Sequence, residues 1–260
     1  MNIPSLSPAI EVLPGTDVPA AWEQFRPFEA LHHGMRICNP MTSQELDQLL
    51  AVLAPRDGER VLDIACGHGE LLIRMAETAA VAGTGIDLSP WVLVRAVASA
   101  AERGVAGRLR WILGNGAGLP AEPIHDIVTC LGASWIWDGF AGTARALRDR
   151  VAPGGRIAIG DVQERPDAAA GDLQSLEETA LTRDAQMAVL YEHGFDPIAE
   201  FRFPVSSWEA YNDRVRESAA AYAAGHEGDP RYDYRAMAAD WDGAAYLRTF
   251  AWTVWFAAVR

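Results

Sequence analysis

Four stretches of the sequence carry residue types that could hold a nucleoside. The first is Asp63-Ile64-Ala65-Cys66-Gly67-His68-Gly69, an acid followed by a glycine-rich turn. Glycine lets the backbone pass close to a ligand because no Cβ stands in the way. Where such a turn opens a helix, free N–H groups point at the same place. By itself the turn is weak evidence, since many strand-to-helix turns hold glycine for packing. The second is Asp87, which closes the next apolar run. A carboxylate there can accept both hydroxyls of a ribose; an acid favoured by a helix macrodipole is the competing explanation. The two features together are much more specific than either alone. The third is Gly114-Asn115-Gly116-Ala117-Gly118-Leu119-Pro120. A side-chain carbonyl there can accept from an adenine amino group, and backbone N–H groups can meet ring nitrogens; a plain polar turn is equally compatible. The fourth is Leu131-Gly132-Ala133-Ser134-Trp135, whose carbonyls and indole could touch two ligands at once, or anchor a lid.

These stretches are useful only if the chain places them on one rim. Apolar runs at 60–65, 81–86, 108–113, 126–131 and 156–160 read as buried strands. Helical segments at about 70–80, 90–103 and 139–150 separate them. Ser89-Pro90 reads as an N-cap with proline at the first helical position. Alternation of this kind predicts parallel βαβ units and a doubly wound α/β sheet, with ligands beyond the carboxyl ends of the strands. All four stretches fall at such ends. Thr42-Ser43-Gln44-Glu45 fits a capping box, so a further helix is expected from 42 to about 54. Residues 173–193 read as helical, 198–203 as a strand and 250–259 as a last strand. This predicts a mostly parallel, seven-stranded sheet with a helical cap. The organisation expected is an N-terminal extension or lid over 1–41, an α/β core over 42–205, a cap insertion over 206–247 and a final strand in 248–260. The cap segment is aromatic-rich and broken at Gly225-His226-Glu227-Gly228-Asp229-Pro230.

Composition narrows the function. The 260 residues carry a formal charge of −13, and half of them are hydrophobic. An acidic chain without a basic cluster is a poor match to nucleic acid. There is no lysine; every one of the 22 basic residues is arginine, which removes Schiff-base chemistry. Cys38, Cys66 and Cys130 are too sparse for a disulfide framework or a paired-cysteine metal site. No metal site is expected. No run reaches the ~20 apolar residues of a membrane span, and the first residues lack a basic region before an apolar one, so a cytoplasmic protein is expected.

The nucleoside-type stretches resemble a known family. Val61 to Gly69 resembles motif I of the class I S-adenosylmethionine-dependent methyltransferases. Gly85-Ile86-Asp87-Leu88-Ser89 resembles the acidic motif that follows, Gly114 to Pro120 resembles the family's Gly-Asp-Ala-x-x-Leu-Pro stretch, and Leu147 to Gly155 resembles its approach to strand five. The matches run in order over about 58–161. Arg36-Ile37-Cys38-Asn39-Pro40 and Gly132 to Ile136 further resemble a little-characterised bacterial branch. The resemblance implies S-adenosylmethionine as cofactor, with S-adenosylhomocysteine as product. It implies that Asp63, Ala65, Gly67 and Gly69 surround the methionine part, that Asp87 holds the ribose and that Asn115 and Gly116 approach the adenine. The full set it implies for the cofactor is Arg36, Asp63, Ala65, Cys66, Gly67, Asp87, Leu88, Asn115, Gly116, Ala117 and Leu131. Two departures stand out. Ala65 replaces the first glycine of the usual loop, and Asn115 replaces a frequent aspartate. Neither helps a dinucleotide reading, which needs a differently spaced glycine turn.

Methyl transfer from a sulfonium is an in-line displacement that depends mostly on alignment and dryness. A base is needed only for a nucleophile that carries a proton. Asp161, expected at the end of strand five, is the first candidate; a solvated strand-end acid is the plain alternative. His33, beside His32 in the extension, is the second, and a surface histidine pair is the plainer explanation. His68 reads as a filler of the cofactor loop. Trp135 and Tyr211 are candidate substrate contacts, with Tyr222, Tyr232 and Tyr234 behind them, although aromatics at helical spacing are more often core. The motif that marks adenine and glutamine methylation is absent after strand four, where Cys130-Leu131-Gly132-Ala133 stands. The reading is a methyltransferase acting on a small molecule, as monomer or homodimer, without nucleic-acid or membrane partners. A cofactor-fold enzyme of other chemistry and a non-catalytic cofactor-binding module are the rivals. The acceptor, and whether O, N, C or S is methylated, stays open.

Overall fold

The computed structural model describes residues 5–169, 180–226, 233–239 and 244–260. Its centre is the expected alternation. β2 (Arg60–Ile64), α4 (Glu70–Thr78), β3 (Ala82–Asp87), α5 (Pro90–Glu102) and β4 (Leu109–Leu113) form one wing. β5 (His125–Leu131), α6 (Phe140–Arg148) and β6 (Val151–Glu164) form the other. The strand order is β1-β4-β3-β2-β5-β6-β8-β7, where β1 is Ile10–Val12, β7 is Phe195–Arg202 and β8 is Phe250–Val259. Every pairing is parallel except those of β8, which runs antiparallel to β6 and β7. The chain reverses its direction of travel across the sheet between β2 and β5, which creates the crevice where open α/β sheets bind ligands.

The sheet has eight strands, not seven. The additional one, β1, comes from the N-terminal extension and pairs with β4 from Ile10 opposite Trp111 to Val12 opposite Leu113. Three residues give no alternation long enough to be read as a strand. β6 also runs further than the 156–160 expected, because β8 keeps pairing with it as far as Glu164 opposite Phe250. Apolar side chains fill both faces. α3 (Ser43–Leu53), α4 and α5 cover one face, together with α8 (Val205–Gly225); α6 and α7 (Arg183–Glu192) cover the other. α9 (Tyr234–Ala239) and α10 (Ala244–Thr249) complete the described part of the segment before β8. Of the helix expected over 173–193, residues 173–179 lie outside the described residues, as do Tyr232 and the Glu227-Gly228-Asp229-Pro230 break. No helix among the described residues is long and apolar enough to cross a membrane.

Two helix starts show how the sequence builds the rim. At α3 the capping box forms: Thr42 Oγ1 accepts from Glu45 N at 3.2 Å, and Glu45 Oε2 accepts from Thr42 N at 2.7 Å. Glu45 also accepts from Ser207 Oγ at 2.7 Å, so one carboxylate joins α3 to α8. Leu46, Leu49, Leu50 and Leu53 then repeat at helical spacing and are buried. At α5 the expected side-chain cap does not form. Asp87 Oδ1 takes the Ser89 N–H at 2.9 Å, and Ser89 Oγ is left buried without a protein partner. The acid two residues upstream instead holds the amide of the N-cap residue itself.

Removal of a helix cap costs about 1 kcal/mol. Thr42→Ala should lower the unfolding free energy by about that amount, read from the midpoint of a urea titration at unchanged slope.

Candidate functional site

The glycine turn leaves β2 at Ile64 and enters α4 at Glu70. Ala65 has φ +57°, Gly67 +53° and Gly69 +72°, so the backbone turns through the left-handed region three times. Gly69 has a second reason to lack a side chain, because a Cβ there would run into the indole of Trp111. That ring comes from β4, is 2% exposed and fills the space beneath the turn. No side chain caps α4 at Gly69, so its first-turn amides are left to the crevice. Glu70, buried at the start of α4, accepts from Arg74 Nε at 2.6 Å and from Arg103 Nη1 at 2.7 Å, which fastens the helix to α5.

Asp87 closes β3 and holds the turn in place. Its Oδ2 accepts from Gly67 N at 2.9 Å while its Oδ1 holds the Ser89 amide at the start of α5. Burial nevertheless raises its carboxyl above the ordinary range, against the pull of these backbone bonds. Asp63, near the end of β2, is 3% exposed and accepts from Thr129 Oγ1 at 2.6 Å across the β2–β5 pair. Burial pushes its carboxyl to about 7; the Thr129 hydroxyl opposes this and the Asp87 charge adds to it. The crevice therefore holds two carboxyl groups whose charged forms burial disfavours and a cation would stabilise.

These groups line one cavity of about 1090 Å³, its open mouth included. Its floor is the turn from Ala65 to His68, with Ile86 to Ser89 beside it and Gly114 and Gly116 at one end. Leu131, Gly132, Ala133, Trp135 and Ile136 also line it, with the turn at 134–137 lying against the turn at 116–118. Its roof comes from the extension: Phe25 and Phe28 around the α1 (Val18–Gln24) and α2 (Arg26–His32) junction, then 36–39 and Met41. Several contacts fix the extension to α5, Arg26 over the Trp91 ring among them. Trp91 Nε1 donates to Trp22 O at 2.8 Å, the two indoles meet edge-on at 4.7 Å, and Glu29 pairs with Arg95.

Of the residues singled out from the sequence, Arg36, Asp63, Ala65, Cys66, Gly67, Asp87, Leu88, Gly116, Leu131 and Trp135 come together around this cavity. Asn115 and Ala117 do not line it. Asn115 is exposed, and its Oδ1 accepts from Ala117 N at 2.9 Å, capping the short turn at 116–118. Asp161 is not at a strand end, because β6 continues past it, and its Oδ1 accepts from its neighbour Val162 N at 2.8 Å. His33 lies outside the cavity too, with Nδ1 3.0 Å from Glu29 Oε1 and 2.8 Å from Arg95 Nη2. Tyr211 is buried between α8 and α2. His32 Nδ1 lies 3.0 Å from Phe28 O, so it carries the proton, and Nε2 accepts from the Tyr211 hydroxyl at 2.8 Å. Burial holds His32 near 4, so the ring is neutral and structural. Phe25, Phe28, Met41, Leu46 and Leu71 are among the lining residues that the sequence did not point to, whereas Cys38 and Asn39 lie in the stretch at 36–40 that it did. The aromatic pair three residues apart in the extension was the available signal. His68 Nδ1 lies 3.5 Å from Cys38 Sγ, and burial holds the imidazole near 3 and the thiol near 12, both uncharged.

A doubly wound sheet, a left-handed glycine turn over an indole, and an acid that ties that turn to the next helix together define a nucleoside-binding α/β enzyme. Comparison with known proteins gives the family. Residues 61–155 match the family model described as a methyltransferase domain. A S-adenosylmethionine-dependent methyltransferase from Geobacter sulfurreducens, solved in complex with S-adenosylhomocysteine, is 31% identical with a TM-score of 0.81 over 90% of this chain and 98% of that one. Protein YjhP of Escherichia coli is 32% identical over 68% of this chain and 73% of its own length. The 27-O-demethylrifamycin SV methyltransferase of Amycolatopsis mediterranei is 33% identical over 65% of this chain and 67% of its own. The chain belongs to the class I S-adenosylmethionine-dependent methyltransferases, and S-adenosylmethionine is its cofactor. The crevice fits such a group: among the described residues Ser89 Oγ, buried on its wall, has no hydrogen-bond partner, and neither Asp63 nor Asp87 has a cationic one.

Left-handed backbone costs a residue with a Cβ about 1–2 kcal/mol. Ala65→Gly relieves that strain and should raise the unfolding free energy by about 0.5–1 kcal/mol after the extra freedom of glycine in the unfolded chain is counted. Urea unfolding checks the sign, which is opposite to that of alanine-to-glycine changes inside helices.

Proposed function

We propose that this methyltransferase acts on a small-molecule acceptor held between the cofactor and the extension. The observation that carries the reading is the continuity of one cavity from the Asp63–Asp87 crevice to the apolar chamber under α2. Asp87 accepts from the ribose hydroxyls through lone pairs that its two backbone bonds leave over. Asp63, Arg36 and the turn at 65–67 receive the methionine portion, whose charges match theirs. Leu88, Gly116 and Leu131 enclose the adenine and thioether, and Cys66 backs the turn. Asn115 and Ala117 support this end from behind, by fixing the turn that carries Gly116. The cofactor supplies a methyl group on a sulfonium; the new bond forms from the acceptor lone pair as the sulfur–carbon bond breaks and its electrons stay on sulfur. The extension excludes water and aligns the acceptor, which is most of what such a displacement requires. Neither Asp161 nor His33 is given a part in this reading, since neither lines the cavity. A relative that is named for methylating 27-O-demethylrifamycin SV supports a small acceptor.

Two measurements test the assignment. Asp87→Ala removes a charged hydrogen-bond acceptor worth about 1.5–3 kcal/mol, so calorimetry should show S-adenosylhomocysteine affinity lower by about ten- to a hundred-fold. Unchanged affinity would sink the placement. The second is pH dependence. In the ligand-free protein Asp63 takes up a proton below about pH 7. An ammonium group beside it favours the carboxylate, so binding must expel that proton. Affinity should therefore rise as pH rises between about 6 and 8 and level off above, and Asp63→Asn should flatten the profile.

A further inference from the structure

We infer that the acceptor is a flat, uncharged, largely apolar ring compound bearing one polar substituent, which meets Asn39. This rests on the methyltransferase reading above and names the class of molecule that the apolar lining of the cavity selects. The cavity's apolar lining includes Phe25, Phe28, Ile37, Met41, Trp135 and Ile136. The charged groups of the cavity lie elsewhere or are already matched. Asp63 and Asp87 sit at the cofactor crevice, Glu70 is held by two arginines, and Arg36 is exposed at the mouth. A phosphate, dicarboxylate or polyamine against the apolar lining would leave water without a partner, a cost far above what contact returns.

Two residues give this lining its shape. Trp135 follows β5 on a short turn at 134–137 and is 60% exposed, the most exposed large hydrophobic side chain among the described residues. It lines the same cavity as the rings of Phe25 and Phe28, and three aromatic faces favour a planar, apolar occupant. Asn39 supplies the polar contact. Its side chain lines the cavity and makes no hydrogen bond with the described residues. Its Oδ1 lies 2.9 Å from the point where Gly132 would carry a Cβ, and Gly132 has φ +87°. The missing side chain at 132 is what lets the Asn39 amide lie across the end of β5. An amide offers a donor and an acceptor at once, and so suits a hydroxyl or carbonyl.

Calorimetry on the protein saturated with S-adenosylhomocysteine tests this, with 2-naphthol, naphthalene, glutarate and putrescine as probes. The expected result is binding of 2-naphthol, weaker binding of naphthalene by about five-fold, and no heat from glutarate or putrescine. Trp135→Ala should weaken 2-naphthol by about ten-fold or more, and Asn39→Val should abolish its advantage over naphthalene. Titration of S-adenosylhomocysteine into each variant reports that the fold and the crevice are intact. Preferential binding of glutarate or putrescine, or 2-naphthol affinity unmoved by Trp135→Ala, overturns the inference. If S-adenosylhomocysteine itself fails to bind the wild-type protein, the cofactor placement falls instead.

Discussion

The carboxylate of Asp87 is the constraint on which the site depends. One oxygen holds the Gly67 amide and the other holds the Ser89 amide at the start of α5. The turn after β2 and the helix after β3 are thereby locked to a single group at the edge of the crevice. The turn needs such a hold because its backbone passes three times through a conformation that most residues avoid; backbone bonds from Cys66 N to Ile86 O and from Gly69 N to Cys66 O add to it. Trp111 supports it from below and the Glu70 ion pairs fasten the helix that follows. Without the acid, the amides of this loop would face a buried region with no acceptor, at a cost of about 1–3 kcal/mol each.

Much of this was legible in the residues. Asp63, Gly67, Gly69 and Asp87 announce a crevice because their types and order have few other uses. The alternation of strands and helices over 60–160 places them on one rim. What could not be read was anything set by contact between distant segments. β1 is three residues long and becomes a strand only because β4 offers it an edge. β6 outruns its own apolar signal because β8 keeps pairing with it, and that moves Asp161 from a strand end into the strand. Tyr211 and His33 carry reactive groups, yet their roles were decided by partners on other helices: His32 for the tyrosine, Glu29 and Arg95 for the histidine. Ser89 reads as a side-chain cap, yet its hydroxyl makes no bond to the first turn of α5.

The extension shows how polar groups can be used to place an apolar roof. Phe25 and Phe28 line the cavity, but hydrophobic contact alone does not specify where they sit. Glu29, buried on α2, supplies the direction by pairing with Arg95 on α5, and His32 does so by bonding to Tyr211 on α8. A buried ion pair adds little net stability but penalises every arrangement that leaves one partner alone. The roof is thus located by its polar back and works by its apolar front.

β1 has a consequence outside the site. It covers the open edge of β4, and its own exposed edge is short and carries Glu11 paired with Arg110. At the opposite margin of the sheet, β7 contains Pro197 and loses register with β8 beside it. A proline presents no amide, and a shifted register bends the ladder away from a straight template. Neither margin offers the flat row of unpaired amides that strands of a second copy would need. The described sheet is therefore a poor template for a strand from another chain, a property set by one short strand and one proline.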